Sequence, residues 1–288
     1  MTLSTLEIKE ITLEILEIKK DILKMIYIAQ SGHPGGSLSC VSIIYLLYNK
    51  IMKTDHKNPQ WKDRDIFILS KGHAAPTFYA VLSRIGYIQR KTLFTFRKFG
   101  SELQGHPVKN LNLGIEISTG SLGMGLSIGV GCALAAKLDN KTEKTIYILL
   151  GDGELNEGAI WEAAMAASHF KLDNLIAIID RNGLQIDGAT EEIMALEPLA
   201  EKWKAFGWDV IEIDGSKINE TIQGFNKAKS MIKKPKVIIS YLIKGGDVSF
   251  MKHTKEFHGR APNKEEYETA VRELENLRKK ILGENSYD

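Results

Sequence analysis

The chain has 288 residues, 43% apolar and 26% charged, which are ordinary values for a soluble globular protein and leave room for one full α/β core. Its 38 basic and 36 acidic residues give a net charge of +2, so no global field draws it to nucleic acid or a membrane surface, and any anion must be caught locally. Cys40 and Cys132 each sit in an apolar helical pattern, which suits buried reduced thiols in a cytoplasmic protein; charges interrupt the N-terminal apolar run and no apolar span of about 18 residues follows, so neither a signal peptide nor a membrane helix is expected.

Leu6, Ile11, Leu13, Leu16, Ile18, Leu23, Ile26 and Tyr27 recur among charges at roughly helical spacing, predicting a long surface helix over about 3–30 that stops at Ser31-Gly32. A second helix is expected over about 38–52, then a polar loop over 54–65 and the short strand Asp65-Ile-Phe-Ile-Leu-Ser70. A helix follows Gly72-His73 and runs to about Ile85. Residues 94–117 carry Gly, Pro and Asn without a clear period, predicting a long irregular segment over the strand ends, where loops are often functional. Gly123, Gly125, Gly129, Gly131, Ala133, Ala135 and Ala136 predict a buried helix over 121–138 whose backbone approaches its neighbours, because glycine there costs propensity that packing must offset.

Strands then alternate with helices: strand 145–150, helix 154–170, strand 175–180, helix 198–206, strand 208–213, helix 217–232 and strand 236–243. A last helix over 264–282 packs on the outside. The alternation predicts an α/β fold, a parallel sheet with helices on both faces, and no linker or repeat divides the single domain expected over 1–288.

Two strands end in chemistry. Ile146-Tyr-Ile-Leu-Leu-Gly-Asp-Gly-Glu-Leu-Asn-Glu-Gly158 leaves Asp152 at a carboxyl end, and Asn174-Leu-Ile-Ala-Ile-Ile-Asp-Arg-Asn-Gly183 leaves Asn182 at another, where open parallel sheets bind ligands. Magnesium takes about six hard oxygens and completes its shell with phosphate and water. Asp152 offers a carboxylate oxygen, Asn182 an amide oxygen and Leu184 a backbone carbonyl; calcium suits the same set. Gly151 and Gly153 let the backbone come close, and a helix starting at Glu154 would point free N–H groups and a positive dipole end at a diphosphate. Taken singly, Asp-Gly and Asn-Gly are common turns; their order, strand, Gly-Asp-Gly, helix, strand, Asn, matches the thiamine diphosphate fingerprint.

With these motifs the sequence resembles the transketolase family. Ser31-Gly-His-Pro-Gly35, Leu69-Ser-Lys-Gly-His-Ala-Ala-Pro76, Gly105-His-Pro107, Thr119-Gly-Ser-Leu-Gly-Met-Gly-Leu126, Lys171-Leu-Asp-Asn-Leu175, Ala205-Phe-Gly-Trp208 and Phe257-His-Gly259 are similar to transketolase segments in family order, from about residue 20 to residue 262. The resemblance implies the thiamine diphosphate-binding fold of the diphosphate-binding type. It also implies a channel lined by His33, His73, His106 and His258, residues that can exchange a proton near neutral pH and bond hydroxyls in either tautomer. His33 and His258 resemble the pair handling the hydroxyl beside the bond that breaks, His106 the group holding the terminal hydroxyl of the two-carbon unit, and His73 a cofactor-side contact. Gly120, Ser121, Leu122, Gly153 and Glu154 resemble cofactor contacts. Lys244, after the last strand, is open between a cation near the phosphates and a surface lysine. Glu157 and Glu162 resemble carboxylates at a subunit boundary, with helix-surface charge pairing as the alternative. His56, His169 and His253 fall outside these motifs.

In this family the glutamate against the aminopyrimidine ring comes from a second, pyrimidine-binding domain. This sequence closes with Gly283-Glu-Asn-Ser-Tyr-Asp288 where that domain is expected. The resemblance therefore implies the N-terminal subunit of a split transketolase in an α2β2 heterotetramer, transferring a ketol unit between sugar phosphates of pentose phosphate metabolism. The alternatives are a ketol transferase acting on a modified sugar and a non-catalytic subunit. A 2-oxo acid dehydrogenase subunit lacks the histidine set, and no Gly-x-Gly-x-x-Gly follows the first strand to suggest a dinucleotide site.

Overall fold

The computed structural model describes residues 2–141 and 143–284; of the span expected for the domain, residues 1, 142 and 285–288, including the closing Asn-Ser-Tyr-Asp, lie outside the described residues. Strands β1 (Ile66–Leu69), β2 (Ile146–Gly151), β3 (Leu175–Arg181), β4 (Asp209–Asp214) and β5 (Lys236–Tyr241) form one parallel sheet in the order β1-β2-β3-β5-β4. The register sets Gly151 opposite Asp180 and Asp180 opposite Ser240, so the loops carrying Asp152 and Asn182 leave the sheet side by side.

Successive side chains of a strand face opposite sides, and the two cores divide accordingly. Leu69, Tyr147, Leu149, Ile176, Ile178 and Ile238 face one core, while Ile68, Ile148, Leu150, Ala177, Ile179 and Ile239 face the other. Helices α1 (Thr5–Ala29), α2 (Pro34–Ser39), α3 (Val41–Leu46) and α4 (Ala75–Ile85) cover the first side, and the short α5 (Arg90–Leu93) follows. Helices α6 (Met124–Leu138) and α7 (Gly158–His169) cover the second, with α9 (Leu199–Ala205) beyond the one-turn α8 (Thr190–Ile193). Helix α10 (Ile218–Ser230) returns to the first side, where α11 (Lys264–Leu282) lies along α1 and stacks Tyr267 on Tyr27 at 4.4 Å. Helices therefore cover both faces, as the alternation requires. Among the described residues no helix is long and apolar enough to cross a membrane.

Three expectations need correction, and two short elements lie where none was expected. The helix expected over 38–52 starts at Pro34, breaks at Cys40 and ends in a wider turn over Leu47–Ile51. Proline suits a first helical turn, and tertiary packing overrides the poor propensity of Gly35 and Gly36: a Cβ on Gly36 would meet the His73 ring at 3.3 Å. The helix expected from Glu154 starts only at Gly158, after a 3-10 turn over Gly153–Asn156, because the Glu154 carboxylate is drawn inward. Helix α8 and the turn at Leu111–Leu113 have too few residues to show a period. Cys40 is buried, whereas Cys132 is only half-buried; both are free thiols.

Both outer helices begin with a reciprocal cap. Ser4 with Glu7 and Asn263 with Glu266 each exchange side-chain and backbone hydrogen bonds, satisfying end groups that the helix itself leaves open.

Candidate active site

A cleft opens at the carboxyl ends of β2 and β3, lined among others by Asp152, Asn182, Leu184, Lys71, Lys244, His73 and His258. Asp152 is 2% exposed; its Oδ1 accepts from Gly153 N at 2.9 Å and its Oδ2 from Gly183 N at 2.6 Å, so one strand-end loop holds the other. Arg181 Nη1 stands 3.4 Å from the same Oδ2. Asn182 donates from Nδ2 to Asp180 Oδ1 at 3.1 Å, which turns its Oδ1 the other way, where Leu184 N donates to it at 3.2 Å. Among the described residues no group of three His, Cys, Asp or Glu could hold a metal, so a cation here would rest on one carboxylate, one amide and one carbonyl, and would need further oxygens from a ligand.

The four motif histidines converge. Ring centroids lie 5.3 Å apart for His33 and His73, 5.4 Å for His33 and His258, 5.4 Å for His73 and His258, and 6.5 Å for His33 and His106. They come from four separate segments, and close backbone contact makes this arrangement feasible. Gly72, beside His73, packs on Gly120, where a Cβ would stand 2.9 Å from Gly120 N; Gly120 itself lies against the His106 ring with φ +152, a region that L side chains rarely adopt. His56, His169 and His253 are exposed and stand apart from this cluster.

Burial and neighbouring cations keep these rings neutral. Burial, then Arg97, His106, Lys71 and Lys244, push His33 down to about 4; burial, then Lys244, His33 and Lys71, push His258 down to about 4. Burial also lowers His73 well below the usual range, and His106 is lowered by burial and Arg97. Asp152 moves the other way, up to about 6, through burial and the nearby Asp180 carboxylate. A buried acid left this uneasy is one that a cation would relieve.

Lys244 is buried, not a surface lysine. Its Nζ donates to Leu184 O at 3.1 Å and stands 3.2 Å from His258 Nδ1, with no carboxylate partner among the described residues. Burial and Lys71 push it down to about 8, against the pull of Asp152 and Asp180. An ammonium without an anion suits a diphosphate, as does the buried Gln185 Nε2 in the same cleft, which lacks a partner among the described residues. Leu122 and Gly153 line the cleft, whereas Ser121 is exposed outside it. Glu154 lines it too, but its oxygens are engaged by Ser70 Oγ, Gly123 N at 2.9 Å and Gly151 N at 3.0 Å, so it fastens the Gly-Asp-Gly loop to α6 and to the end of β1. Glu157 and Glu162 form no ion pair among the described residues, so the charge-pairing alternative finds no partner.

Sequence reasoning missed a buried hub beneath the cleft. Asp180, fully buried, accepts from Lys71 Nζ at 2.5 Å, from Ser39 Oγ at 2.5 Å and from Asn182 Nδ2 at 3.1 Å. Lys71 also donates to Gly36 O at 3.0 Å; burial works against its charge, but the Asp180 carboxylate outweighs that and holds it above the usual lysine range. An acid and a lysine inside otherwise apolar or glycine-rich strand ends were the available signal.

Comparison with known proteins gives a consistent result. A family profile described as the thiamine diphosphate binding domain of transketolase matches residues 14–280. The chain is similar to one subunit of the apulose-4-phosphate transketolase of Phocaeicola vulgatus, 44% identical over 98% of this chain and 99% of that protein. It is also similar to the 6-deoxy-6-sulfo-D-fructose transketolase subunit SqwG of a Clostridium species, 45% identical over 85% and 88%. Among solved structures, transketolase from Campylobacter jejuni superposes with a TM-score of 0.81 at 29% identity over 95% of this chain, which spans 48% of that one.

Proposed function

The chain belongs to the transketolase family, as its thiamine diphosphate-binding domain, and from that membership we propose that it is the diphosphate- and metal-holding subunit of a two-chain enzyme moving a two-carbon ketol unit from a ketose to an aldose. The observation that carries this reading is the convergence of Asp152, Asn182, Leu184, His73 and His258 on one cleft, with the His33 ring packed against both of those histidines and His106 beside His33. Asp152, Asn182 and Leu184 O would hold magnesium, with calcium as the substitute ion, and Lys244 and Gln185 would face the diphosphate. When bound, thiamine diphosphate supplies the carbon nucleophile and electron sink that ketose cleavage requires.

The protein's own groups bind, orient and move protons. His33 and His258 handle the hydroxyl beside the breaking bond; as neutral rings they can take or return its proton near neutral pH. His106 holds the terminal hydroxyl of the transferred unit, and His73 and Leu122 form the wall on the cofactor side. Gly120 lets the His106 segment pack closely. Glu154 keeps the Gly-Asp-Gly loop in place, and Glu157 and Glu162 belong to a subunit boundary.

The residues form a single diphosphate-binding domain, and a separate chain supplies the pyrimidine-binding half within an α2β2 heterotetramer. The near full-length similarity to a protein that is itself named as one subunit of a transketolase supports this division. The names of two similar proteins, for apulose-4-phosphate and 6-deoxy-6-sulfo-D-fructose, favour the modified-sugar reading over the ordinary pentose phosphates. A cytoplasmic location, consistent with two free thiols, completes the proposal.

The test is reconstitution. The purified chain, alone and with a co-expressed pyrimidine-domain chain, is assayed with thiamine diphosphate and magnesium against ketose donors that include pentose phosphates, apulose-4-phosphate and 6-deoxy-6-sulfofructose. The pair should transfer ketol units and the single chain should not. Equal rates for the two would refute the division of labour, and a preference for pentose phosphates would refute the modified-sugar reading.

A further inference from the structure

Lys244 and His258 lie 14 positions apart, on segments joined through one glycine. Gly35 N donates to Phe257 O at 3.0 Å and Gly35 O accepts from Gly245 N at 3.1 Å, so the residue before His258 and the residue after Lys244 are held to the same glycine. A Cβ on Gly35 would stand 3.3 Å from Lys244 Cγ and 3.5 Å from its Cε, so the lysine stem runs directly across that glycine. Gly245 takes φ +86, and a Cβ there would stand 2.1 Å from Met251 O, so the turn after Lys244 accepts only glycine. Phe257 is buried against Phe250 at 5.4 Å, which anchors the histidine's side of the contact. The 3.2 Å approach of Lys244 Nζ to His258 Nδ1 is therefore built into the backbone.

An ammonium only donates. A neutral imidazole carries its hydrogen on one nitrogen and a lone pair on the other, and the partner of one nitrogen decides the state of the other. We propose that Lys244 is a positioning residue that fixes His258 as the Nε2–H tautomer, so that His258 presents a hydrogen-bond donor to the cleft and His33 is left as the proton acceptor of the pair. His258 Nε2 has no partner among the described residues, and its ring faces the neighbouring histidines. His33 Nδ1 is buried without a partner among the described residues, so nothing there withdraws its lone pair. The inference deepens the proposed function by dividing hydrogen-bond donor and proton acceptor between the two histidines, and it rests on that reading for their roles.

The contact is tested on the full chain, without cofactor, by nitrogen-15 NMR of labelled histidine in mildly acidic buffer, the His258 signals being identified by their loss in His258→Asn. In the wild type, Nδ1 should resonate as a bare acceptor nitrogen displaced by an accepted hydrogen bond, with the proton on Nε2. Lys244→Met should abolish that displacement, and Lys244→Arg should keep it; unchanged His56 and His169 signals show that the variants fold. A wild-type proton on Nδ1 overturns the proposal, as does an Nδ1 signal that Lys244→Met leaves unmoved. No ketol transfer is needed for this measurement, so its failure leaves the proposed reaction standing, and absence of that reaction leaves the tautomer result intact.

Discussion

Replacing Asp180 by Asn removes a charge while keeping the shape of the side chain. In the wild type Lys71, 1% exposed, has this carboxylate at 2.5 Å and the Gly36 carbonyl at 3.0 Å. The variant strands an ammonium in a dry site with neutral acceptors only. Breaking a buried pair in this way costs about 3–5 kcal/mol, because the survivor keeps its desolvation penalty without its counter-charge. At about 1.4 kcal/mol per factor of ten, the folding equilibrium falls by roughly two to three and a half orders of magnitude. Adding Lys71→Met to Asp180→Asn removes the stranded charge, so the double variant should be more stable than Asp180→Asn alone. Urea unfolding of the cofactor-free chain, followed by far-ultraviolet circular dichroism, measures all four members of the cycle. The reasoning is refuted if Asp180→Asn stays within about 1 kcal/mol of wild type or if the second substitution lowers stability further.

Asp152→Ala should abolish metal-dependent retention of thiamine diphosphate in equilibrium dialysis while leaving the sheet intact; retention with unchanged metal dependence would remove Asp152 from the ligand set. Stability of the metal-free chain should fall as the pH drops from about 6.5 to about 4, because unfolded histidines take up protons there while folded His33 and His258 do not. Asp152 opposes that slope from about 6 downward, since its folded form binds a proton before the unfolded form does; His33→Gln with His258→Gln should flatten the fall seen in urea titrations. Gly72→Ala should cost about 1–3 kcal/mol by denaturant unfolding, as the new methyl would stand 2.9 Å from Gly120 N and 3.0 Å from Thr119 Oγ1 and must push that segment away; wild-type stability would show that the segment yields freely.

The sheet was legible because its strands are apolar on both faces and lead straight into Gly-Asp-Gly and Asp-Arg-Asn-Gly, so pattern and turn chemistry agreed. The break at Cys40 and the late start of α7 were not legible. Both follow from tertiary contacts, Gly36 against His73 and Glu154 against Ser70 and Gly123, that local spacing does not encode. At the site, residues adjoining glycine in loops stood out, which is why the four histidines, Asp152 and Asn182 were singled out. Lys71, Asp180 and Ser39 were missed because a single lysine, acid or serine at the end of a strand or helix carries no sign of its partner, and their meaning appears only when three segments meet.

The electrostatics of the cleft tie these parts together. Burial is the main cause that keeps His33 and His258 unprotonated; Arg97, Lys71 and Lys244 add to it at His33, and Lys244 and Lys71 at His258. Lys71 has its counter-charge in Asp180, whereas Lys244 has none among the described residues, so the arrangement is unbalanced until an anion enters. A bound diphosphate would supply that charge and weaken the field that depresses the histidines, and bound magnesium would offset part of it again. An anion loaded into the site would therefore bear on the proton affinity of His258 most directly through Lys244, the buried ammonium that touches both the Leu184 carbonyl and the His258 ring.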